Sequence, residues 1–207
     1  EGPFGEFPGT YSGVRRLNVF RVTAVSFRDD PIFESLYIGS KSWTEHDTLL
    51  GINVCTTVYH QLKRGFPEVV AVNALYQDGT TAIIAVKNRF AGFAKSVALR
   101  ALGSSHGLMF LKNLIMVDAD IDPFDLNQVI WSLSNRTRPD DIIVLPNMPL
   151  SDADPSAEIG GKGHRLIIDA TSYMPPDPIS VNNNLVESPA GEVINELERV
   201  INELRKK

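Results

Sequence analysis

Leu108-Met-Phe-Leu-Lys-Asn-Leu-Ile-Met-Val117, followed at once by Asp118-Ala-Asp-Ile-Asp-Pro123, is the stretch that decides how this chain folds. A nearly unbroken apolar run reads as a strand covered on both faces, since neither face keeps polar side chains for water. Upstream, Ala91 to Leu102 reads as a helix of small residues ended by Gly103, able to lie close against a sheet. Val69 to Tyr76 and Thr80 to Lys87 are β-rich runs separated by Gln77-Asp-Gly79, and Asp-Gly between apolar runs is a hairpin signal. Before them, Thr44 reads as an N-cap with Glu45 and Asp47 in the first helical turn. Leu50, Val54, Val58 and Leu62 then recur on one face until Gly65 and Pro67 stop the helix.

Downstream, Asp122-Pro123 reads as an N-cap with a first-turn proline, and Val129, Ile130 and Leu133 as the inner face of the helix it opens. Arg136 to Asp141 reads as a loop, Ile142 to Leu145 as a short buried strand, 146–163 as an acidic loop and Leu166 to Ile168 as a last strand. Tyr173 to Ser180, with prolines at 175, 176 and 178, is an extended connector. Ser188-Pro189 then caps a helix whose Val193, Ile194, Leu197, Val200, Ile201 and Leu204 form one apolar stripe. This stripe packs on its own domain or on a neighbouring subunit. Strands alternating with helices after residue 40 give an α/β domain with a mixed sheet. Before it, Arg16 to Val25 and Ile32 to Ile38 read as the closing strands of a β-domain, broken by Asp29-Asp-Pro31 and in need of a partner for their edges. The expected division is 1–40, 41–180 and 181–207.

The chain's 207 residues are 43% hydrophobic and 22% charged, ordinary for a globular protein with a buried core. A net charge of −5 without a basic block argues against nucleic acid or an anionic membrane as partner. No apolar run reaches the ~20 residues of a membrane helix. The single cysteine, Cys55, excludes an intramolecular disulfide and fits a reducing cytoplasm; within a helical apolar pattern it reads as a buried, inert thiol. His46, His106 and His164 lack the spacing of a metal site, and His60 reads as a surface histidine.

Chemistry concentrates at the start: Glu1-Gly-Pro-Phe-Gly-Glu-Phe-Pro-Gly-Thr-Tyr-Ser-Gly13. Four glycines and two prolines rule out a helix and require tight turns, which can bring Glu1 and Glu6 to one side of a loop. Paired carboxylates in unequal surroundings suit proton transfer, because their pKa values are driven apart. A solvated surface turn is the other reading of the same residues.

Glu1-Gly-Pro-Phe-Gly-Glu6 with Pro8-Gly-Thr-Tyr-Ser12 resembles the acidic loop of the UbiD-type decarboxylases, which use prenylated flavin mononucleotide (FMN). Asp30-Pro-Ile-Phe-Glu34, Phe90-Ala-Gly-Phe-Ala-Lys95, Val117 to Gln128 and Ile168-Asp-Ala-Thr171 carry the likeness onward in the right order. The likeness covers nearly the whole chain but only the C-terminal half of the family's usual length, so the chain is expected to be a fragment.

The resemblance implies the tail of a split β-barrel flavin-binding domain followed by an α/β oligomerisation domain, and a homo-oligomer. It implies non-oxidative, reversible decarboxylation of an aromatic or α,β-unsaturated acid. Glu6 would be the proton donor and Glu1 the first acid of its network, with Phe7 and Leu50 lining the substrate pocket. Desolvation against Phe7 and the flavin, with repulsion from Glu1, would raise the donor's pKa. Arg165, or else Lys162, would meet the flavin phosphate. Manganese or magnesium, potassium and most phosphate contacts would come from residues preceding this chain, leaving it inactive alone.

Two other readings stand beside this one. Asp118 and Asp120 after an apolar strand resemble the nucleophile strand of haloacid-dehalogenase-type phosphatases. The closing apolar helix also fits a non-catalytic oligomerisation module.

Overall fold

The computed structural model describes residues 2–76, 79–158, 160–177, 186 and 189–206. Glu1, Gln77, Asp78, Pro178 to Ser180 and Ser188, which carry expectations above, lie outside the described residues. Helix α1 (Glu45–Lys63) leads into strands β1 (Val69–Tyr76) and β2 (Thr81–Val86), helices α2 (Phe93–Leu102) and α3 (Ser105–Met109), and strand β3 (Asn113–Asp118). Helix α4 (Leu126–Arg136), a 3-10 turn (Pro139–Asp141), strands β4 (Ile142–Pro149) and β5 (Lys162–Ala170) and helix α5 (Gly191–Leu204) complete the chain.

The five strands form one mixed sheet in the order β1-β2-β3-β5-β4. β2, β3 and β5 run parallel at its centre, and β1 and β4 pair antiparallel at the two edges. The central position of β3 explains its composition: Leu114, Met116 and Val117 have no accessible surface. Alternation along β2 feeds two cores. Ala82, Ile84 and Val86 face α1 and α2, packing with Val54, Val58, Leu62, Val97 and Ala98. Ile83 and Ala85 face the other side, with Val117, Val129 of α4 and Ala170.

Local signals act where the sequence places them. Thr44 caps α1 in a capping box: its hydroxyl accepts from the Asp47 N–H, and the Asp47 carboxylate accepts from the Thr44 N–H at 2.8 Å. Gly79 sits at φ 82 in the β1–β2 turn, where a Cβ would lie 2.9 Å from Val54. α1 crosses β1 so closely at Gly51 that a Cβ there would meet the Leu75 Cα at 2.8 Å.

Several expectations are corrected. The run from Leu108 is not all strand. Ser104 caps α3, with its hydroxyl accepting from the Gly107 N–H, and β3 begins at Asn113. The cap of α4 is Asp125, which accepts from the Asn127 N–H, while Asp122 closes a turn one step earlier by accepting from Phe124. Ile130, expected inside, is 58% exposed because it lies about 100° round the helix from Val129, which with Ser132 and Arg136 makes the buried face. Ile142 to Leu145 belongs to a longer edge strand rather than a buried one, so Ile142 and Val144 face out and only Ile143 and Leu145 reach the core. Arg16 to Val25 and Ile32 to Ile38 run without regular secondary structure. No described residue pairs with them in a ladder, and an isolated strand has no hydrogen-bond partner to define it.

Gly51→Ala tests the α1–β1 contact. Alanine gains roughly 1 kcal/mol in helix propensity, but the clash is with strand backbone, and overpacking costs about 1–3 kcal/mol. Urea unfolding should show a net loss of stability.

Candidate active-site loop

Glycine and proline turn the first segment as expected. The Glu6 N–H donates to the Thr10 carbonyl at 2.9 Å, Gly9 N–H to the Glu6 carbonyl at 2.9 Å, and Ser12 N–H to the Phe4 carbonyl at 2.8 Å. Gly5 and Tyr11 face each other as a single antiparallel bridge. This knot lies backbone to backbone on the residues before α1. A Cβ on Gly39 would stand 2.7 Å from the Glu6 carbonyl oxygen, and one on Gly9 would stand 2.9 Å from the Ser40 backbone. Both glycines have positive φ, 86 and 75, so the contact needs them twice over.

The side chain of Glu6 is half-buried and borders a cleft of about 330 Å³ with Tyr11, Arg15 and the Asp152–Pro155 loop. Arg15 bridges the cleft, donating to the Asp152 carbonyl at 2.9 Å and its carboxylate at 3.3 Å. The cleft lies at the amino edge of the parallel strands: Asp154 accepts from Lys112, the residue before β3. Phe7 is half-buried in the same loop. Leu50 is half-buried on α1 and packs against the main core. Glu1, the other acid of the expected pair, lies outside the described residues.

Arg165 is buried, 1% exposed. Its five N–H groups are all engaged by four backbone carbonyls: Nε and Nη2 by Pro149, Nη1 by Leu102 and Gly107, and Nη2 also by Leu108. No donor is left for a phosphate. Lys162 is exposed at the start of β5, 3.8 Å from Glu158.

Asp118 and Asp120 are held by a single cation. Arg136 Nη1 donates to both, at 2.9 Å each, and its Nη2 to Asp120 at 2.8 Å. The Ser172 N–H also donates to Asp118 at 2.6 Å. The hydrogen bonds from Arg136 hold the Asp120 carboxyl below its usual range. An attacking aspartate would need a free lone pair and a metal, and among the described residues no group of His, Cys, Asp or Glu could hold a metal ion. The phosphatase reading is therefore dropped. Cys55 accepts from the Ala74 N–H at 2.9 Å, and burial pushes its thiol pKa up, as for an inert cysteine.

The fold and this loop define an α/β domain with a glutamate-bearing, glycine-braced loop seated at the amino edge of its central strands. Residues 47–170 match the family model of the 3-octaprenyl-4-hydroxybenzoate carboxy-lyase C-terminal domain, and residues 1–41 that of the corresponding Rift-related domain. The chain belongs to the UbiD family.

The phenolic acid decarboxylase of Escherichia coli O157:H7 is 52% identical over 178 residues, 86% of this chain and 37% of that protein. That of Bacillus subtilis (strain 168) is 44% identical over 191 residues, 91% of this chain and 40% of that protein. Vanillic acid decarboxylase of Sedimentibacter hydroxybenzoicus in its closed form superposes with a TM-score of 0.88 at 44% identity, covering 100% of this chain and 43% of that one. A UbiD-class enzyme of Pelotomaculum thermopropionicum in complex with FMN gives 0.77 at 27% identity, covering 96% and 43%. The chain thus spans about two fifths of the length of the relatives it matches.

Arg165→Lys should cost on the order of 3 kcal/mol in chemical unfolding, because a point ammonium cannot serve four carbonyls and leaves buried acceptors unpaired. Asp120→Asn should lower stability modestly at pH 7, since Asp120 is partly exposed. A carboxyl whose folded pKa is depressed contributes above its unfolded pKa and loses that contribution as pH falls through the folded value. The difference between wild type and Asp120→Asn should therefore shrink in melts taken from about pH 5 downward.

Proposed function

We propose that this chain is part of a non-oxidative decarboxylase that acts on an aromatic or α,β-unsaturated carboxylic acid with prenylated FMN, and that Glu6 delivers the proton. The observation that carries this reading is the bracing of Glu6. Its main chain is tied at both the N–H and the carbonyl, and two positive-φ glycines seat the loop on the segment before α1. Its side chain stands half-buried over a cleft. A proton donor needs this fixed placement, because misplacement of about 1 Å can cost a hundredfold in rate. The named activities of the relatives, phenolic and vanillic acid decarboxylation, support the substrate class.

When bound, the flavin would accept the electron pair left as carbon dioxide departs. Of the two cations assigned to its phosphate, Arg165 does not fit because all its donors are engaged. Lys162 is exposed and only loosely paired with Glu158, so it is the remaining candidate in this chain. The reaction asks one thing of Glu6: that its carboxylic acid give H⁺ to the carbon that has lost its carboxylate and then be reprotonated from solvent. Phe7, beside it, would exclude water, Leu50 would line the pocket and Glu1 would complete the acid pair.

The domain limits proposed are 1–40, 41–180 and 181–207, and the protein is proposed to be a cytoplasmic homo-oligomer assembled through its last helix. α5 supports this: Val193, Ile194, Leu197, Val200, Ile201 and Leu204 lie along one helix and are each 39–64% exposed. A divalent metal, manganese or magnesium, and potassium are proposed to serve the flavin from outside the described residues.

In the complete, cofactor-loaded protein, Glu6→Gln should lower the decarboxylation rate by about 10²–10⁴-fold with substrate binding retained. Full activity in that variant would remove Glu6 from the role. Light scattering should show a smaller assembly once residues 188–207 are deleted; an unchanged particle would refute assembly through α5.

A further inference from the structure

The far edge of the sheet carries a second cavity that the reaction above does not use. β2 and β3 are parallel neighbours, yet the chain leaving β2 enters α2 on one face while the chain leaving β3 enters α4 on the other. In open α/β sheets, the crevice outside the carboxyl ends of strands that part in this way is where ligands bind. Here it holds a cavity of about 400 Å³, bounded by the loop after β2, the first turn of α2, the 3-10 turn and the segment after β5. The Glu6 cleft lies at the opposite, amino edge.

The walls of this cavity ask for both signs of charge. On one side α2 presents its N-terminus, with Gly92 as an N-cap that offers no side chain. The Ala94 and Lys95 N–H groups have no acceptor among the described residues, so a ten-residue helix points an unsatisfied positive end at the cavity.

On the other side stands Asp169, 8% exposed. Its Oδ1 accepts from both the N–H and the hydroxyl of Thr171, at 3.2 and 2.6 Å, while Oδ2 has no donor among the described residues. Burial pushes this carboxyl's pKa up, and the nearest ammonium, Lys95, is committed to Asp141 at 3.1 Å. Asn88 adds a second acceptor, because its Oδ1 is buried without a partner.

The lining includes Asp140, Asp141, Asp169 and Asp177 against only Lys95 and Arg138. A doubly charged phosphate would meet that surplus of carboxylates. A ligand that carries its own cation would not.

We propose that this crevice binds a free α-amino acid with an apolar side chain. Its carboxylate sits on the Lys95 N–H in the first turn of α2, and its ammonium donates to Asp169 Oδ2 and Asn88 Oδ1. Phe90 and Met174, on the cavity wall, cover the side chain.

The test is calorimetric titration of the chain with L-phenylalanine, 3-phenylpropionate, phenethylamine and inorganic phosphate, with amide chemical shifts followed in parallel. L-Phenylalanine should bind saturably, with each half-molecule and phosphate weaker by about tenfold or more. The largest shifts should fall on Ala94, Lys95 and Thr171. Asp169→Asn and Asn88→Ala should each weaken L-phenylalanine by about tenfold with the circular dichroism spectrum unchanged; if the first does not fold, the second decides. Three results would overturn the proposal: no saturable binding of L-phenylalanine, phosphate or 3-phenylpropionate binding as tightly, or wild-type affinity in the folded variants.

Discussion

Arg165 is a cation buried without an anion, and the α/β domain is arranged around that fact. Among the described residues no carboxylate reaches it. Its counter-charge is a ring of carbonyl dipoles: Leu102 at the end of α2, Gly107 and Leu108 in α3, and Pro149 at the end of β4. Carbonyls at helix ends carry the negative pole of the backbone dipoles, so they can stabilise a guanidinium where water cannot. Desolvation lowers the Arg165 pKa, as expected when the charge has only dipoles to lean on. One side chain on β5 thereby fixes the ends of α2, α3 and β4 with respect to the sheet.

That clamp sits at the amino edge of the parallel strands, the edge on which the Glu6 loop also rests. Gly107 makes the crowding there possible: a Cβ would fall 1.8 Å from the Ala101 carbonyl, so no other residue can bring α3 under Arg165. Lys112, paired with Asp154 at 2.9 Å, holds the β4–β5 loop over the cleft that Glu6 borders. The opposite edge is built on different terms. Arg136, 3% exposed at its side chain, gathers Asp118 and Asp120, and Lys95, Arg138 and Tyr173 gather around Asp141. The two ends of one sheet therefore carry separate polar systems, joined only by the apolar strands between them.

Most of the elements were legible in the residues, because their signals are local. Thr44 and Asp47 cap α1 within three positions of each other, Gly103 ends α2, and Gly79, at positive φ, lies in the turn from β1 to β2. The errors have one kind of cause. Leu108 to Phe110 reads as strand by hydrophobicity but is taken into a helical turn by the Ser104 cap and by contact with Ala101. Ile142 and Val144 read as buried, but they lie on an edge strand with a neighbour on one side only. Arg165 and Arg136 look alike in sequence, each an arginine four positions before an aspartate. Only the fold gives one to carbonyls and the other to carboxylates.

By itself the sequence determined the α/β class and the tight turning of the first segment, since both follow from residue type and short spacing, while Glu6 was singled out by the resemblance to the UbiD-type decarboxylases. Tertiary structure alone decided that Arg165 has no donor for a phosphate, that Asp118 and Asp120 are spent on Arg136, and that Asn88, Lys95 and Asp169 border one cavity. Those residues lie as far as 81 positions apart, from 88 to 169. What brings them together is the parallel pairing of β2, β3 and β5, which sets the carboxyl ends of distant segments side by side. No local pattern encodes that pairing, because each partner strand is specified by its own burial and the register between them by packing.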